Sequence, residues 1–262
     1  MLLNTQRLFT RLLPRMRVSA ICDVGSMNGA DAATFSAAVP QASIYAFEPN
    51  PHNFRLMQAR DQFFQGRNIS VVPLAATNYD GVADLFVVAA EYSHGDPRRG
   101  MSSLHRRCGE WAPQSIEPVE TTRLDSFLDA RCPRDARLAV WIDAEGTAYE
   151  VIEGLGARAE HVQLVHVEVE TAPCIGANQK LYPQVKALLQ RLGFTELGTD
   201  QPVSELQFNA LFVKAGLPRR LGLQVRASLA VVYLRSSLVR AACRLCPACV
   251  RRYASLRRRS SS

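Results

Sequence analysis

The stretch Ile21-Cys-Asp-Val-Gly-Ser-Met-Asn-Gly29, answered one helix-length later by Ile44-Tyr-Ala-Phe-Glu-Pro-Asn-Pro51, decides the fold. An apolar run of strand length enters a glycine turn, and a second apolar run ends in a carboxylate. Gly25 and Gly29 suit a strand, turn and helix junction, where positive φ and close helix approach are needed. Glu48 follows Gly25 by 23 residues, about the separation at which nucleotide-binding α/β folds set an acid against ribose hydroxyls. A tight turn alone explains the glycines. It does not explain the acid, since a strand ending Ala-Phe-Glu-Pro-Asn-Pro has little structural need for one.

In a dinucleotide site the middle glycine of G-x-G-x-x-G lets backbone approach a pyrophosphate. Met27 holds that place. A nucleoside cofactor without phosphates needs no such cradle, so S-adenosylmethionine is expected in preference to NAD. Its amino acid part is expected along Asp23, Gly25, Ser26, Asn28 and Gly29. Its ribose diol is expected on an ionised Glu48, flanked by Pro49 and Asn50, because one carboxylate can accept two hydroxyl hydrogen bonds. Ala75, at the end of an expected third strand Ile69–Ala76, leaves room for the adenine ring.

The alternation of strands and helices continues downstream. Asn50–Arg60 reads as a helix with Pro51 early in it, Ala83–Ala89 as a strand, and Pro118–Arg123 as a strand able to pair with it. Between these strands lies a polar loop, about residues 91–117, long enough to be a functional lid over the acceptor. Ser102, Ser103 and His105 lie in it, and Arg98, Arg99, Arg106 and Arg107 could meet an anionic acceptor. A solvated loop accounts equally well for any one of them.

A second chemical cluster begins at Leu138-Ala-Val-Trp-Ile-Asp143-Ala-Glu145-Gly146. Period-two alternation brings Asp143 and Glu145 to one side of the strand end, where open parallel sheets bind ligands. In the next strand, Val162–Glu170, the residues Val165, Val167 and Val169 face one layer, and His166, Glu168 and Glu170 the other. Up to four carboxylates then converge. Such crowding needs a cation or a shared proton, so one acid is a candidate general base and a pair could hold Mg²⁺. Asp143, Glu145 and Glu168 are the candidate catalytic residues. The bland alternative has Glu145 capping a helix and Glu170 in solvent. No metal ligand set is assigned.

The chain has 262 residues and a formal charge of +7, unevenly spread. Residues 217–262 carry eleven Arg and no acid, leaving 20 basic against 24 acidic side chains in the first 216. The body is a mildly acidic, enzyme-like domain, residues 19–216. The tail, residues 217–262, is a basic amphipathic segment for an anionic membrane surface, for nucleic acid, or for packing on the body. Its Cys243, Cys246 and Cys249 lack the fourth ligand that structural zinc requires. Seven cysteines, an odd number, do not make a disulfide framework, and a reducing, cytoplasmic setting is expected. Residues 1–18 place Arg7, Arg11 and Arg15 at i, i+4 spacing with no acid. That pattern suits organelle targeting or a short helix capping the sheet, and the capping helix is expected. No apolar run reaches the roughly 20 residues needed to span a bilayer.

Taken in order, Asp23-Val-Gly-Ser-x-x-Gly29, Phe47-Glu-Pro-Asn-Pro51, Val72-Pro-Leu-Ala75 with Asp80-Gly81, Thr122-Arg-Leu-Asp-Ser-Phe127, Ile142-Asp-x-Glu-Gly146, Val167-Glu168 and Asn209-x-Leu-Phe212 resemble the FkbM family of S-adenosylmethionine-dependent methyltransferases. The likeness runs over about residues 19–214. It implies a class I, Rossmann-like, doubly wound α/β sheet of about seven strands with an antiparallel end strand, to which this chain adds its basic C-terminal tail. It also implies O-methylation of a hydroxyl on a sugar or other small molecule. Two positions depart from the pattern. Trp141 stands where the family commonly has Lys, and Ala148 where it commonly has an acid, so the resemblance leaves open a catalytically silent binding protein attached to membrane or RNA through its tail. Oligomeric state is not legible.

Overall fold

The computed structural model describes residues 2–59, 64–88, 97–107, 115–216, 223, 225 and 227–231. Its centre is a seven-stranded sheet in the order β3-β2-β1-β7-β8-β10-β9. The strands are β1 (Ala20–Val24), β2 (Ser43–Phe47), β3 (Ile69–Val72), β7 (Leu138–Ile142), β8 (Val162–Glu170), β9 (Phe194–Thr199) and β10 (Gln207–Lys214). All neighbours pair in parallel except β10, which runs antiparallel to both β8 and β9. The expected antiparallel strand is present, inserted one place in from the edge. β1 and β7 are buried at every residue, as central parallel strands covered on both faces must be.

Alternation along the strands builds two apolar layers. Cys22, Val24, Val140, Ile142, Val165 and Val167 share one with helices α4 (Leu124–Asp129), α5 (Ala148–Glu153) and α6 (Tyr182–Arg191). Ile21, Ala139, Trp141 and Leu164 share the other with α1 (Thr5–Leu12), α2 (Ala30–Ala38) and α3 (Pro51–Gln58). Helix α1 starts where Asn4 Oδ1 accepts the Arg7 N–H at 2.8 Å. Thr5, Leu8, Phe9 and Leu12 form its buried face at helical spacing. The N-terminal segment is therefore part of the sheet's cover: Leu3, Leu13 and Met16 are buried with it, and the Leu3 N–H donates to the Thr199 carbonyl on β9.

Three sequence boundaries move. Ile69–Ala76 is two strands, not one: Pro73 has no N–H for a ladder, and the chain leaves the main sheet there. Ala75–Thr77 becomes β4 of a second sheet ordered β4-β6-β5, with β5 at Gly81–Val87 and β6 at Ser115–Arg123. β5 thus starts two residues earlier than expected, and β6 is longer than expected, since Ser115–Glu117, counted with the lid, belong to it. Of the lid, residues 91–96 and 108–114 lie outside the described residues, as does the expected end of the preceding strand at residue 89. In the tail, Val225 is buried and Leu229 packs in the same layer as α1. Arg226, Arg235, Arg240 and the cysteines at 243, 246 and 249 lie outside the described residues. Among the described residues no helix is long and apolar enough to cross a membrane.

Candidate active site

The strand order reverses between β1 and β7, and in open α/β sheets the crevice beyond the carboxyl ends of such neighbours takes the ligand. A cavity with about 550 Å³ of empty space lies there. Six of the residues singled out in the sequence line it: Gly25, Glu48, Pro49, Asn50, Ala75 and Asp143. Asp23, Ser26, Asn28, Gly29, Glu145 and Glu168 do not. Met27 lines it as well, and so do Arg99, Ser102 and Ser103 from the segment expected as a lid.

The four loop residues outside the wall shape the loop itself. Asp23, 1% exposed, accepts the Ser26 hydroxyl at 2.6 Å, and burial pushes its carboxyl up to about 8. Asn28 Oδ1 accepts the N–H of Ala30, the first residue of α2, at 3.0 Å. Gly29 has φ 76°, and a Cβ there would run into the Phe64 ring. Met27, at the dinucleotide-glycine place, itself sits at φ 52°, a left-handed conformation costing a non-glycine residue roughly 1–2 kcal/mol. Its N–H is held by Glu48 Oε2 at 2.7 Å.

That bond corrects one reading of the sequence, because Glu48 does have a structural use. It ties the glycine loop to β2, and its other oxygen accepts the Asn50 N–H at 2.9 Å. A carboxylate offers about four acceptor sites, so capacity remains toward the cavity. Burial raises the Glu48 carboxyl to about 7, opposed by the Asn50 and Met27 N–H groups, the Asn53 amide and the Arg99 charge.

Asp143, Glu145 and Glu168 do converge, with carboxylate oxygens within 4.8 Å of one another. The route differs from simple strand alternation. β7 ends at Ile142, and Glu145 and Gly146 turn the chain at φ 39° and 85°. Asp143 and Glu168 share a hydrogen bond, and burial pushes both carboxyls upward, Glu168 further raised by the charges of Asp143 and Glu145. The two carboxyls hold a proton between them. Glu145, raised to about 7 chiefly by burial, is ion-paired with Arg107. It does not cap a helix, since Thr147 is the residue preceding α5. The set offers three oxygen ligands to a hard cation, one of them already engaged by that guanidinium. Glu170 stands apart from the trio and out of solvent, 2% exposed, accepting from Gln179 at 3.0 Å and Gln207 at 3.2 Å.

Segment 97–107 contributes residues whose partners no local pattern assigns. Arg99 Nε donates to Asn53 Oδ1 at 3.1 Å, while Asn53 Nδ2 donates back to the Arg99 carbonyl at 2.9 Å. Asn50 Nδ2 donates to Ser102 Oγ, and Ser103 Oγ to the Glu145 carbonyl at 2.7 Å. His105 lies against Gly146 and Gly176, its Nε2 buried without a partner among the described residues. Arg106 is exposed, and the Arg98 side chain lies outside the described residues. Partners 46 residues apart carry no local signal. Trp141, by contrast, was readable. Alternation with Leu138, Val140 and Ile142 turns it to the α1 layer, where it stacks on His166 at 3.5 Å and meets Phe9 edge-on. It occupies no polar mouth. Ala148, 5% exposed, opens α5 in the opposite layer.

No curated protein gives a significant match to the sequence. Among solved structures, the chain is similar to precorrin-6y C5,15-methyltransferase from Geobacter metallireducens, with 12% identity, 80% of this chain and 87% of that chain covered, and a TM-score of 0.42. It is also similar to an rRNA methylase from Streptococcus thermophilus, with 13% identity, coverage of 82% and 98%, and a TM-score of 0.43. A third is the N-terminal domain of EvdMO1, crystallised with SAH and D-fucose, with 12% identity, coverage of 80% and 82%, and a TM-score of 0.43. The model of the methyltransferase FkbM domain matches residues 23–196. That span starts at the β1 acid and runs through both carboxylate centres into β9, and membership implies S-adenosylmethionine as the methyl source. The chain belongs to the FkbM-domain methyltransferase family.

Proposed function

We propose that the chain transfers a methyl group from S-adenosylmethionine to a hydroxyl of a small molecule, a sugar being the leading class. One observation carries this reading: Gly25, Glu48 and Asp143 line a single cavity. The residues suit the donor, since Glu48 retains an acceptor site for a ribose hydroxyl and the turn at Gly25 to Met27 presents backbone without a phosphate cradle. Pro49, Asn50 and Ala75 would border the adenosine. Asp23, Ser26, Asn28 and Gly29 would act through the loop they hold.

When bound, the donor supplies an electrophilic methyl on a sulfonium. The chain's own task is alignment and proton removal. In-line geometry accounts for most of such a reaction. The Asp143–Glu168 pair, with one proton between two carboxyls, keeps an oxygen free to accept the hydroxyl proton of the acceptor. Glu145 is held by Arg107 beside them. A Mg²⁺ ion on Asp143, Glu145 and Glu168 would compete with Arg107 for Glu145, and activity measured after chelation and Mg²⁺ addition separates these occupants. Cys22, Cys132 and Cys174 are free thiols, which supports action in a reducing compartment such as the cytoplasm.

The test is calorimetric titration of the full chain with S-adenosylmethionine, its demethylated product and NAD, followed by transfer of labelled methyl to hydroxyl acceptors. The donor and its product should bind and NAD should not. Glu48→Ala removes charge-assisted bonds worth about 1.5–3 kcal/mol each, so donor affinity should fall on the order of 100-fold. Full retention of affinity would remove Glu48 from the site.

A further inference from the structure

Arg99 has no place in the reading of the sequence beyond a loop charge available to an acceptor, yet it is 2% exposed and lines the cavity on the Glu48 side. Its seat is built from both ends of one amide. Asn53 accepts from Nε at 3.1 Å and donates to the Arg99 carbonyl at 2.9 Å, and Asn53 is itself 1% exposed. Two further contacts fasten the same stretch of chain to the same wall. Ser102 takes a hydrogen bond from Asn50 at 3.1 Å, and Gly100 packs near the Met27 sulfur. Every one of these anchors lies in the Met27 loop or in Glu48–Asn53. Arg99, Gly100 and Ser102 are therefore attached to the donor wall, while Met101 between them faces the acceptor side, its carbonyl accepting from Arg107 at 2.9 Å.

Resting on the methyl-donor reading above, we infer that Arg99 is a donor-site residue, the buried cation that supports Glu48 as the ribose acceptor and closes the adenosine side of the cavity. The charge balance supports it. Glu48 is fully enclosed, and the groups acting on it are the neutral donors Met27 N–H, Asn50 N–H and Asn53 amide, together with the Arg99 guanidinium. Asp143 is the other carboxylate on the cavity wall, and it offers Glu48 no positive charge. Arg99 is thus the cation that opposes the burial of Glu48. An acceptor anion could use Arg99 only by displacing it from this role.

The experiment is calorimetric binding of S-adenosylmethionine to the full chain from pH 6 to pH 9, for wild type, Arg99→Gln, Arg99→Lys and Asn53→Ala. Wild-type affinity should rise with pH as Glu48 ionises. Arg99→Gln should weaken binding at pH 7 at least tenfold and move the midpoint of the pH dependence upward by about one unit. Arg99→Lys should restore most of both. Asn53→Ala removes both the seat of Arg99 and an amide that acts directly on Glu48, so it too should move the midpoint upward. A role confined to packing would lower affinity equally at every pH and leave the midpoint alone, so an unmoved midpoint in Arg99→Gln overturns the inference, as does an affinity within twofold of wild type. If Arg99→Gln does not fold, Asn53→Ala and Arg99→Lys decide by the same midpoint. Wild type that binds no donor at any pH overturns the donor reading and this inference together, whereas donor-binding wild type with insensitive variants overturns this inference alone.

Discussion

Gly25 and Asp143 are packed so closely that a Cβ on Gly25 would overlap the Asp143 carbonyl oxygen. The contact follows from pairing. β1 and β7 lie side by side with Val24 opposite Ile142, and the Asp143 N–H donates to the Val24 carbonyl at 2.9 Å. The first residue past each strand is thereby pressed against its neighbour, at the point where both line the cavity.

Gly25→Ala should therefore be severely destabilising. Gly25 has φ 83°, and left-handed strain of about 1–3 kcal/mol adds to an overpacking cost of about 1–3 kcal/mol. Gly66→Ala is the control, since Gly66 shares a positive φ of 71° with nothing within 4 Å of its would-be Cβ. Urea unfolding should give a loss several-fold larger at 25 than at 66. Equal losses would mean that backbone strain alone, and not the Asp143 contact, fixes glycine here.

What the sequence disclosed and what it concealed have separate physical causes. Buried strands announce themselves by composition, and ligand sites in these sheets lie at strand ends, so Gly25, Glu48 and Asp143 were found by position alone. Val165, Val167 and Val169 likewise followed from period two. The sequence also held information that went unread: Pro73 marks where one apparent strand must become two, and alternation puts Trp141 under α1. Concealed were contacts that depend on chain return. Arg99 on Asn53 and Arg107 on Glu145 join residues 46 and 38 positions apart, and no local pattern records them. Glu145 was expected beside Asp143 for a reason that fails, since a left-handed turn and not strand pleat brings it there.

The buried carboxylates set a pH dependence of stability. Asp23 is raised to about 8, and Glu48 and Glu145 to about 7, in each case chiefly by burial. Raised carboxyl values mean that the folded chain holds protons the unfolded chain has released, so stability falls as pH rises between about 4.5 and 8. His166, lowered to about 3 by burial, acts in the opposite direction below about pH 6.5, as one group against three. A net excess of one proton corresponds to about 1.4 kcal/mol per pH unit. Melting of the donor-free protein should accordingly be highest near pH 4 and decline from there toward pH 8.5. A melting temperature that climbs over that interval would mean these acids are ionised and paired in the fold.

The Trp141 departure from the family pattern should be a matter of stability and not of donor binding. Trp141 stacks on His166 and packs against Phe9 and Phe35 in the α1 layer, and it is absent from the cavity wall. Trp141→Phe should cost about 1–3 kcal/mol in denaturant unfolding, and Phe9→Ala about 3–5 kcal/mol, with donor affinity at 10 °C within twofold of wild type in both. Donor affinity that drops tenfold while the protein remains folded would tie the α1 layer to the site.

Arg107 and Glu145 should behave as one unit. Both are largely buried, and Arg107 Nε also donates to the Met101 carbonyl at 2.9 Å. Removing one partner of a buried pair leaves an uncompensated charge, at a cost of about 3–5 kcal/mol, whereas removing both can be nearly neutral. Arg107→Met should therefore destabilise strongly, Glu145→Gln by less because a neutral amide can still accept from the guanidinium, and the double variant should recover part of the Arg107→Met loss. The interaction free energy from the double-mutant cycle should be at least about 1 kcal/mol. Catalysis supplies an independent reading. Without Arg107 the charge of Glu145 is unopposed beside Asp143 and Glu168, so the cluster binds its proton more tightly and the acidic limb of the pH–rate profile, set by deprotonation of the base, moves to higher pH. Arg107→Met with an unshifted pH profile and strictly additive stability losses would mean that the ion pair is solvated and that the three acids are balanced in some other way.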